Sequence, residues 1–285
     1  MTSIENIKIK CSDNIELAAS LFIPQTNLKG AVMIGPATGI KRKFYHSFAT
    51  FLADNGYGVI TFDNRGIGGS LNGNTKESKA SLQSWGELDM TDVLNTLKEK
   101  FPNTKYHLIG HSAGGQLVGL MKNCKELSSM FNFASSSGSL NGMKYPYKFK
   151  AIFFLNIFIP VNNLLFGYTN TQWLGMGEPL PKMVAKQWQK WCNGQGYVKA
   201  DFGDAIKEHY YDDLNFPTFW LNASDDDIAN DENVADMISV FPNIKASVMT
   251  LNSQDSKRNH IGHMKFFTME NEGLWTLAKD WLDKN

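Results

Sequence analysis

A serine set between two glycines is the pattern in this chain best suited to do chemistry: Gly110-His111-Ser112-Ala113-Gly114. The apolar run Tyr106-His107-Leu108-Ile109 precedes it and Gln116-Leu117-Val118-Gly119-Leu120 follows, so the serine is expected on a tight strand-to-helix turn. Such a turn strains the serine backbone, and a Cβ two residues to either side would collide with the neighbouring strand or helix. Gly110 and Gly114 remove those collisions and leave the Ser112 hydroxyl proud of the sheet. A serine hydroxyl becomes a good nucleophile only when a base takes its proton and a carboxylate orients that base. The chemistry in question is acyl transfer.

Two downstream loops offer the partners, in the order serine, acid, histidine. The first is Ser224-Asp225-Asp226-Asp227-Ile228-Ala229, directly after the apolar run Thr218-Phe219-Trp220-Leu221. Asp226 is the expected acid, because Ile228 two residues on would tuck the turn against the core. Asp225 remains the alternative, and Asp227 is expected at the surface. The second loop is Asn259-His260-Ile261-Gly262-His263-Met264, where His263 is the expected base and His260 the alternative. His46, His107 and His209 read as packing or surface residues, and His111 as a neighbour of the nucleophile rather than its base. An H-x-x-H reading of His260 and His263 lacks a third ligand at suitable spacing, so neither a metal nor any other cofactor is expected. The oxyanion of acyl transfer needs two fixed donors. One should be the Ala113 N–H. The other should come from Gly35-Pro36-Ala37-Thr38-Gly39, where proline has no N–H, leaving Ala37 first and Thr38 second.

The elements that must position these loops follow from apolar periodicity. Ile7-Lys8-Ile9-Lys10-Cys11 and Ile15 to Ile23 predict an antiparallel hairpin. Gly30 to Ile34, Val59 to Phe62, Tyr106 to Ile109, Met130 to Ser135, Thr218 to Leu221 and Ala246 to Leu251 are short apolar runs expected of buried parallel strands. Helical faces alternate with them: Phe44, Phe48, Phe51 and Leu52, then Met90, Val93, Leu94 and Leu97, Val234 to Val240, and finally Leu274 to Leu282. Alternation of this kind predicts an α/β, doubly wound, mostly parallel sheet. It breaks from about Gly138 to Pro217, where the apolar run Ala151 to Phe166 and the helical face Val184, Trp188, Trp191 predict an inserted helical cap. The expected organisation is a core over 1–138, a cap over 139–216 and a second core part over 217–285.

Composition narrows the partners. The 285 residues hold 28 Lys+Arg and 28 Asp+Glu, so no net charge draws the chain to nucleic acid or to an anionic membrane surface. Asparagines and a proline inside Ala151 to Phe166 make that run a poor membrane span. Three scattered cysteines, Cys11, Cys124 and Cys192, and an N-terminus without a signal-peptide pattern predict a reduced, cytoplasmic setting. The expected partner is a small-molecule ester; oligomeric state is not legible.

Three stretches together resemble the alpha/beta-hydrolase superfamily across nearly the whole chain. They are the serine turn, Phe51 to Ser70 with its Asp63-Asn64-Arg65-Gly66-Ile67-Gly68-Gly69-Ser70 loop, and Ile261-Gly262-His263-Met264. Gly177-Glu178-Pro179-Leu180-Pro181 and Gln187-Trp188-Gln189-Lys190-Trp191-Cys192 are similar to the lysophospholipase and serine-aminopeptidase-like branch, in particular its bacterial "predicted alpha/beta hydrolase" members. In place of that family's usual His-Gly opening of the oxyanion loop stands Gly35-Pro36. The resemblance implies a serine hydrolase fold and says little about substrate. The residues themselves read as an esterase-type serine hydrolase. An acyltransferase would use the same triad, an aminopeptidase or amidase would need a cap carboxylate such as Glu178, and a non-catalytic ligand-binding protein could share the fold.

Overall fold

The structure, a computed structural model, describes residues 2–285. A hairpin opens it: β1 (Ser3–Lys10) and β2 (Glu16–Ile23), antiparallel as their alternation requires. The strands β3 (Gly30–Gly35), β4 (Tyr57–Phe62), β5 (Tyr106–His111) and β6 (Ser129–Phe133) are buried along almost their whole length and pair in parallel. A two-residue ladder, β7 (Tyr168–Thr169) and β8 (Leu180–Pro181), lies outside the main sheet. β9 (Pro217–Ala223) and β10 (Lys245–Leu251) complete an eight-stranded sheet of order β1-β2-β4-β3-β5-β6-β9-β10. It is parallel from β4 to β10, with β1 and β2 the antiparallel strands.

Helices flank the sheet through the apolar faces read from the sequence. α1 (His46–Asp54) buries Phe48, Ala49, Leu52 and Ala53. A short turn, α2 (Leu82–Ser84), runs through a π-helical turn into α3 (Thr91–Lys100), which buries Val93, Leu94 and Leu97. α4 (Ala113–Gln116) follows the serine, and α5 (Tyr147–Phe153), α6 (Ile159–Leu165) and α7 (Lys182–Cys192) lie between β6 and β9. α8 (Asp231–Ile238) precedes β10, and α9 (Trp275–Lys284) closes the chain, its Trp275 edge-on to Phe48 of α1 at 5.6 Å.

The expected helix behind the serine is shorter than its sequence pattern. α4 is a single turn, and a 3-10 turn over Val118–Leu120 replaces its continuation. The cause is Tyr211, a residue far along the chain. Its hydroxyl donates to the Gln116 carbonyl at 2.6 Å, and a Cβ on Gly119 would lie 2.4 Å from its ring. Three glycines within seven residues add low helix propensity to this tertiary capture.

The strand order reverses between β3 and β5, since β4 lies to one side and β6 to the other. Ligands of open parallel sheets bind beyond the carboxyl ends of the strands at such a reversal. The loop after β3 and the serine after β5 flank it, and the loops after β9 and β10 lie on the same edge.

Candidate active site

Ser112 occupies a backbone conformation that few L-residues adopt, φ 49° and ψ −115°. Strain of this kind costs on the order of 1–3 kcal/mol and persists only where the surroundings over-determine it. They do so here. The Ser112 N–H donates to the Phe133 carbonyl at 3.0 Å, and its own carbonyl accepts from Ser135 Oγ at 2.9 Å and from the Gly115 N–H at 3.0 Å. The glycines act as the spacing requires. A Cβ on Gly110 would sit 2.4 Å from Gly115 Cα, and one on Gly114 only 2.0 Å from the Gly35 carbonyl oxygen. Gly35 thus holds its place because Gly114 presses against it. Gly114→Ala is therefore expected to destabilise the protein by about 3 kcal/mol or more, since two backbones in contact cannot yield as a side chain would. Thermal unfolding checks this; a melting temperature within a degree of the parent would refute the close approach.

The acid and base arrive as a hydrogen-bonded pair. Asp226, buried at the end of the loop after β9, accepts from His263 Nδ1 at 2.8 Å through Oδ2. Its Oδ1 accepts from the Ile228 N–H at 2.8 Å and the Ala229 N–H at 2.9 Å. Burial alone would raise its pKa, but His263 and these backbone donors hold the carboxyl below the usual carboxylate value. With Nδ1 donating to Asp226, the His263 Nε2 carries a lone pair.

Asp225 does different work. Its Oδ2 accepts from His260 Nδ1 at 2.6 Å and from the Ile261 N–H at 2.9 Å, and its Oδ1 from the Gly262 N–H at 2.9 Å. These contacts, against the opposing effect of partial burial, lower its pKa. The alternative acid is thus a clamp on the loop that carries His263, and the alternative base, His260, is its exposed partner. Asp227 lies at the surface, as expected. Among the described residues no group of three or more His, Cys, Asp or Glu side chains forms a metal cluster.

The first-choice second oxyanion donor is a correction. The Ala37 N–H donates to the Tyr45 hydroxyl at 2.9 Å and so is already engaged. The Thr38 N–H has no partner among the described residues, and Thr38 lines the same cavity as Ser112. The Ala113 N–H, first in α4, has no intrahelical acceptor.

Tyr45 was not marked by any sequence signal, yet it ties the site together. Its hydroxyl lies 2.8 Å from His111 Nδ1, and His111 Nε2 lies 2.9 Å from the His263 carbonyl oxygen. Burial, with His263 alongside, pushes the His111 pKa down to about 3, so the ring is neutral. Only one proton arrangement then satisfies every group. Ala37 N–H donates to Tyr45, Tyr45 O–H to His111 Nδ1, and His111 Nε2–H to the His263 carbonyl. This chain spans the oxyanion loop, the serine turn and the base loop.

Ser112 and His263 line one cavity of about 380 Å³ with Thr38, Gln116, Met176 and Trp188. No hydrogen bond joins Ser112 Oγ to the ring in this resting arrangement. A second cavity, of about 550 Å³ and walled almost wholly by apolar side chains, adjoins it. The two share Gly138, Tyr147, Met176, Trp188, Cys192 and Ile228. Glu178 lines neither cavity and pairs with Lys41 at 2.8 Å.

Comparisons agree with this architecture. A family profile described as "alpha/beta hydrolase fold" matches residues 35–121, the stretch from the oxyanion loop through the serine turn. A sequence search of curated proteins returns no significant match. Among solved structures the chain is similar to an esterase of Pyrococcus furiosus, at 17% identity and TM-score 0.62, covering 99% of this chain and 91% of that one. It is also similar to a soluble variant of monoglyceride lipase from Saccharomyces cerevisiae, solved with a substrate analogue, at 15% identity and TM-score 0.71, with 99% and 94% covered. An acylaminoacyl peptidase of Pyrococcus horikoshii matches at 11% identity and TM-score 0.63, covering 99% of this chain and 41% of that one.

Proposed function

We propose that this chain, which has the alpha/beta-hydrolase fold, is a serine hydrolase that cleaves carboxylic esters bearing an apolar acyl chain. The observation that carries the reading is the Asp226-bound His263 lining one cavity with the strained Ser112. In the proposed cycle His263 Nε2 takes the Ser112 proton as Oγ attacks the ester carbonyl. The N–H groups of Ala113 and Thr38 receive the oxyanion. His263 then returns the proton to the departing alkoxide, leaving an acyl-serine. Water, deprotonated by the same nitrogen, attacks that acyl group and releases the acid, and Ser112 regains its proton. Asp226 holds the ring tautomer throughout.

The adjoining apolar cavity supports an acyl chain as the group to be housed. The aminopeptidase alternative draws less support, because Glu178 is neutralised by Lys41 and stands outside the cavity. A cap over 139–216 and a cytoplasmic setting belong to the same proposal; the three cysteines are buried and unpaired.

A series of p-nitrophenyl esters from acetate to dodecanoate, run beside aminoacyl-nitroanilides, tests the substrate class. The expected kcat/KM rises by up to about fourfold per added methylene until the cavity is full, following roughly 0.8 kcal/mol per buried CH₂. A preference for the nitroanilides, or a best rate with acetate, would overturn the proposal. Added alcohol acceptors that diverted most of the acyl group from water would make it an acyltransferase instead.

A further inference from the structure

The helix formed by α5, a central π-helical turn (Phe154–Phe158) and α6 carries more apolar surface than the core uses. Tyr147–Leu165 is by length and composition apolar enough to cross a membrane, yet only 28% of it is buried. One side is fixed to the protein through Ala151, Phe154, Leu155 and Ile159. Asn163 holds its C-terminal part down, donating to the Lys182 carbonyl at 3.3 Å and accepting from Thr169 Oγ1 at 3.1 Å. A helix anchored along its length cannot stand across a bilayer. The opposite side exposes Phe149, Phe153, Ile157, Val161, Leu164 and Leu165 at helical spacing, with Leu164 83% and Leu165 67% exposed. Trp173, 63% exposed and edge-on to Phe166 at 5.6 Å, extends the same apolar surface with an amphipathic ring.

Charge says what this face meets. From Ser139 to Gly196 the chain holds six lysines (144, 148, 150, 182, 186, 190) and one acid, Glu178, a balance of 6 − 1 = +5. Glu178 is itself paired with Lys41. Lys144, Lys148 and Lys150 stand at the start of the apolar helix. Two copies meeting on this face would oppose two such positive surfaces. An anionic lipid surface would neutralise one. The face also leads inward: Phe149, Phe153 and Leu174 form part of the wall of the apolar cavity that adjoins Ser112.

We infer that the outer face of the Tyr147–Leu165 helix lies on the surface of an anionic phospholipid bilayer, with the apolar cavity opening toward the acyl layer. The docking surface stands without the proposed function; the passage of an ester substrate from bilayer to Ser112 rests on it. Binding of this kind scales with buried apolar area and with lysines near anionic headgroups.

The test is co-sedimentation of the full-length Ser112→Ala protein with vesicles of phosphatidylcholine alone and with added phosphatidylglycerol. Binding is expected on both, at least about tenfold tighter on the anionic vesicles. Leu164→Asp/Leu165→Asp, on residues that line neither cavity, should weaken binding at least about tenfold. In the Ser112 background the same pair should leave hydrolysis of a water-soluble short-chain ester unchanged. Lys144→Glu/Lys148→Glu should weaken anionic binding by about 25-fold or more, at about fivefold per lysine lost. Absence of binding to either vesicle, or equal binding by the aspartate variant, overturns the inference. So does light scattering that shows a dimer abolished by the same variant, since a second copy then covers the face. Vesicle binding by a protein with no esterase activity would leave the surface standing and remove the proposed function instead.

Discussion

Ser112→Ala should lower kcat by about 10⁶-fold with little change in melting temperature, and a fluorophosphonate should label the parent protein at Ser112 alone. The size of the kinetic effect follows from a nucleophile, base and orienting acid that work as one unit, so that losing the first forfeits the contribution of all three. The small effect on stability follows from the site itself. Ser112 is held by its backbone, through Phe133, Ser135 and Gly115, and its hydroxyl is not part of that framework. The labelling step is the proposed attack carried out on phosphorus: Oγ bonds to the phosphonyl centre, fluoride leaves, and His263 takes the proton. Mass spectrometry of the labelled peptide checks it. A label elsewhere, or a Ser112→Ala protein that retains its rate, would end the assignment.

The second large effect separates two adjacent aspartates. Asp226→Asn is expected to reduce kcat by up to about 10⁴-fold, because an amide no longer selects the His263 tautomer that leaves Nε2 free to accept a proton. Asp225→Asn should cost about tenfold in kcat and about 2 kcal/mol in stability. Its carboxylate accepts two backbone N–H groups and the His260 ring, and an amide oxygen replaces only part of that charge-assisted set. The two variants thus differ in kind. Asp226→Asn keeps its fold and loses its chemistry, whereas Asp225→Asn loosens the loop that carries the base. A reversed order of kinetic effects would exchange their roles.

Much of this was legible because parallel strands buried on both faces are written as unbroken apolar runs, and β3, β4 and β6 are such runs. The serine turn could be read because its glycines answer contacts mostly within a few residues. Asp225 and Asp226 could not be separated locally. Which of them meets His263 depends on the parallel pairing of β9 with β10, which brings two loops 37 residues apart together. Tyr45 lies 66 residues from His111, so no spacing announces their bond, and with it the engagement of the Ala37 N–H went unread. The shortened α4 has the same origin in Tyr211, 95 residues from Gln116. Net charge misled for a different reason: a total of zero conceals how the charges are divided.

That division makes the molecule an electric dipole. If the stretch from Ser139 to Gly196 carries +5 and the whole chain sums to zero, the remainder carries −5. A uniform field exerts no net force on such a body but does exert a torque. Near a charged boundary the chain would turn before it touched, presenting the lysine-bearing side to a negative surface and the opposite side to a positive one. The turning acts only within the reach of the field, about 8 Å at physiological ionic strength and about 30 Å at 0.01 M salt. A chain without net charge should therefore show a capture rate on charged surfaces that falls with added salt, and an orientation there that reverses with the sign of the surface.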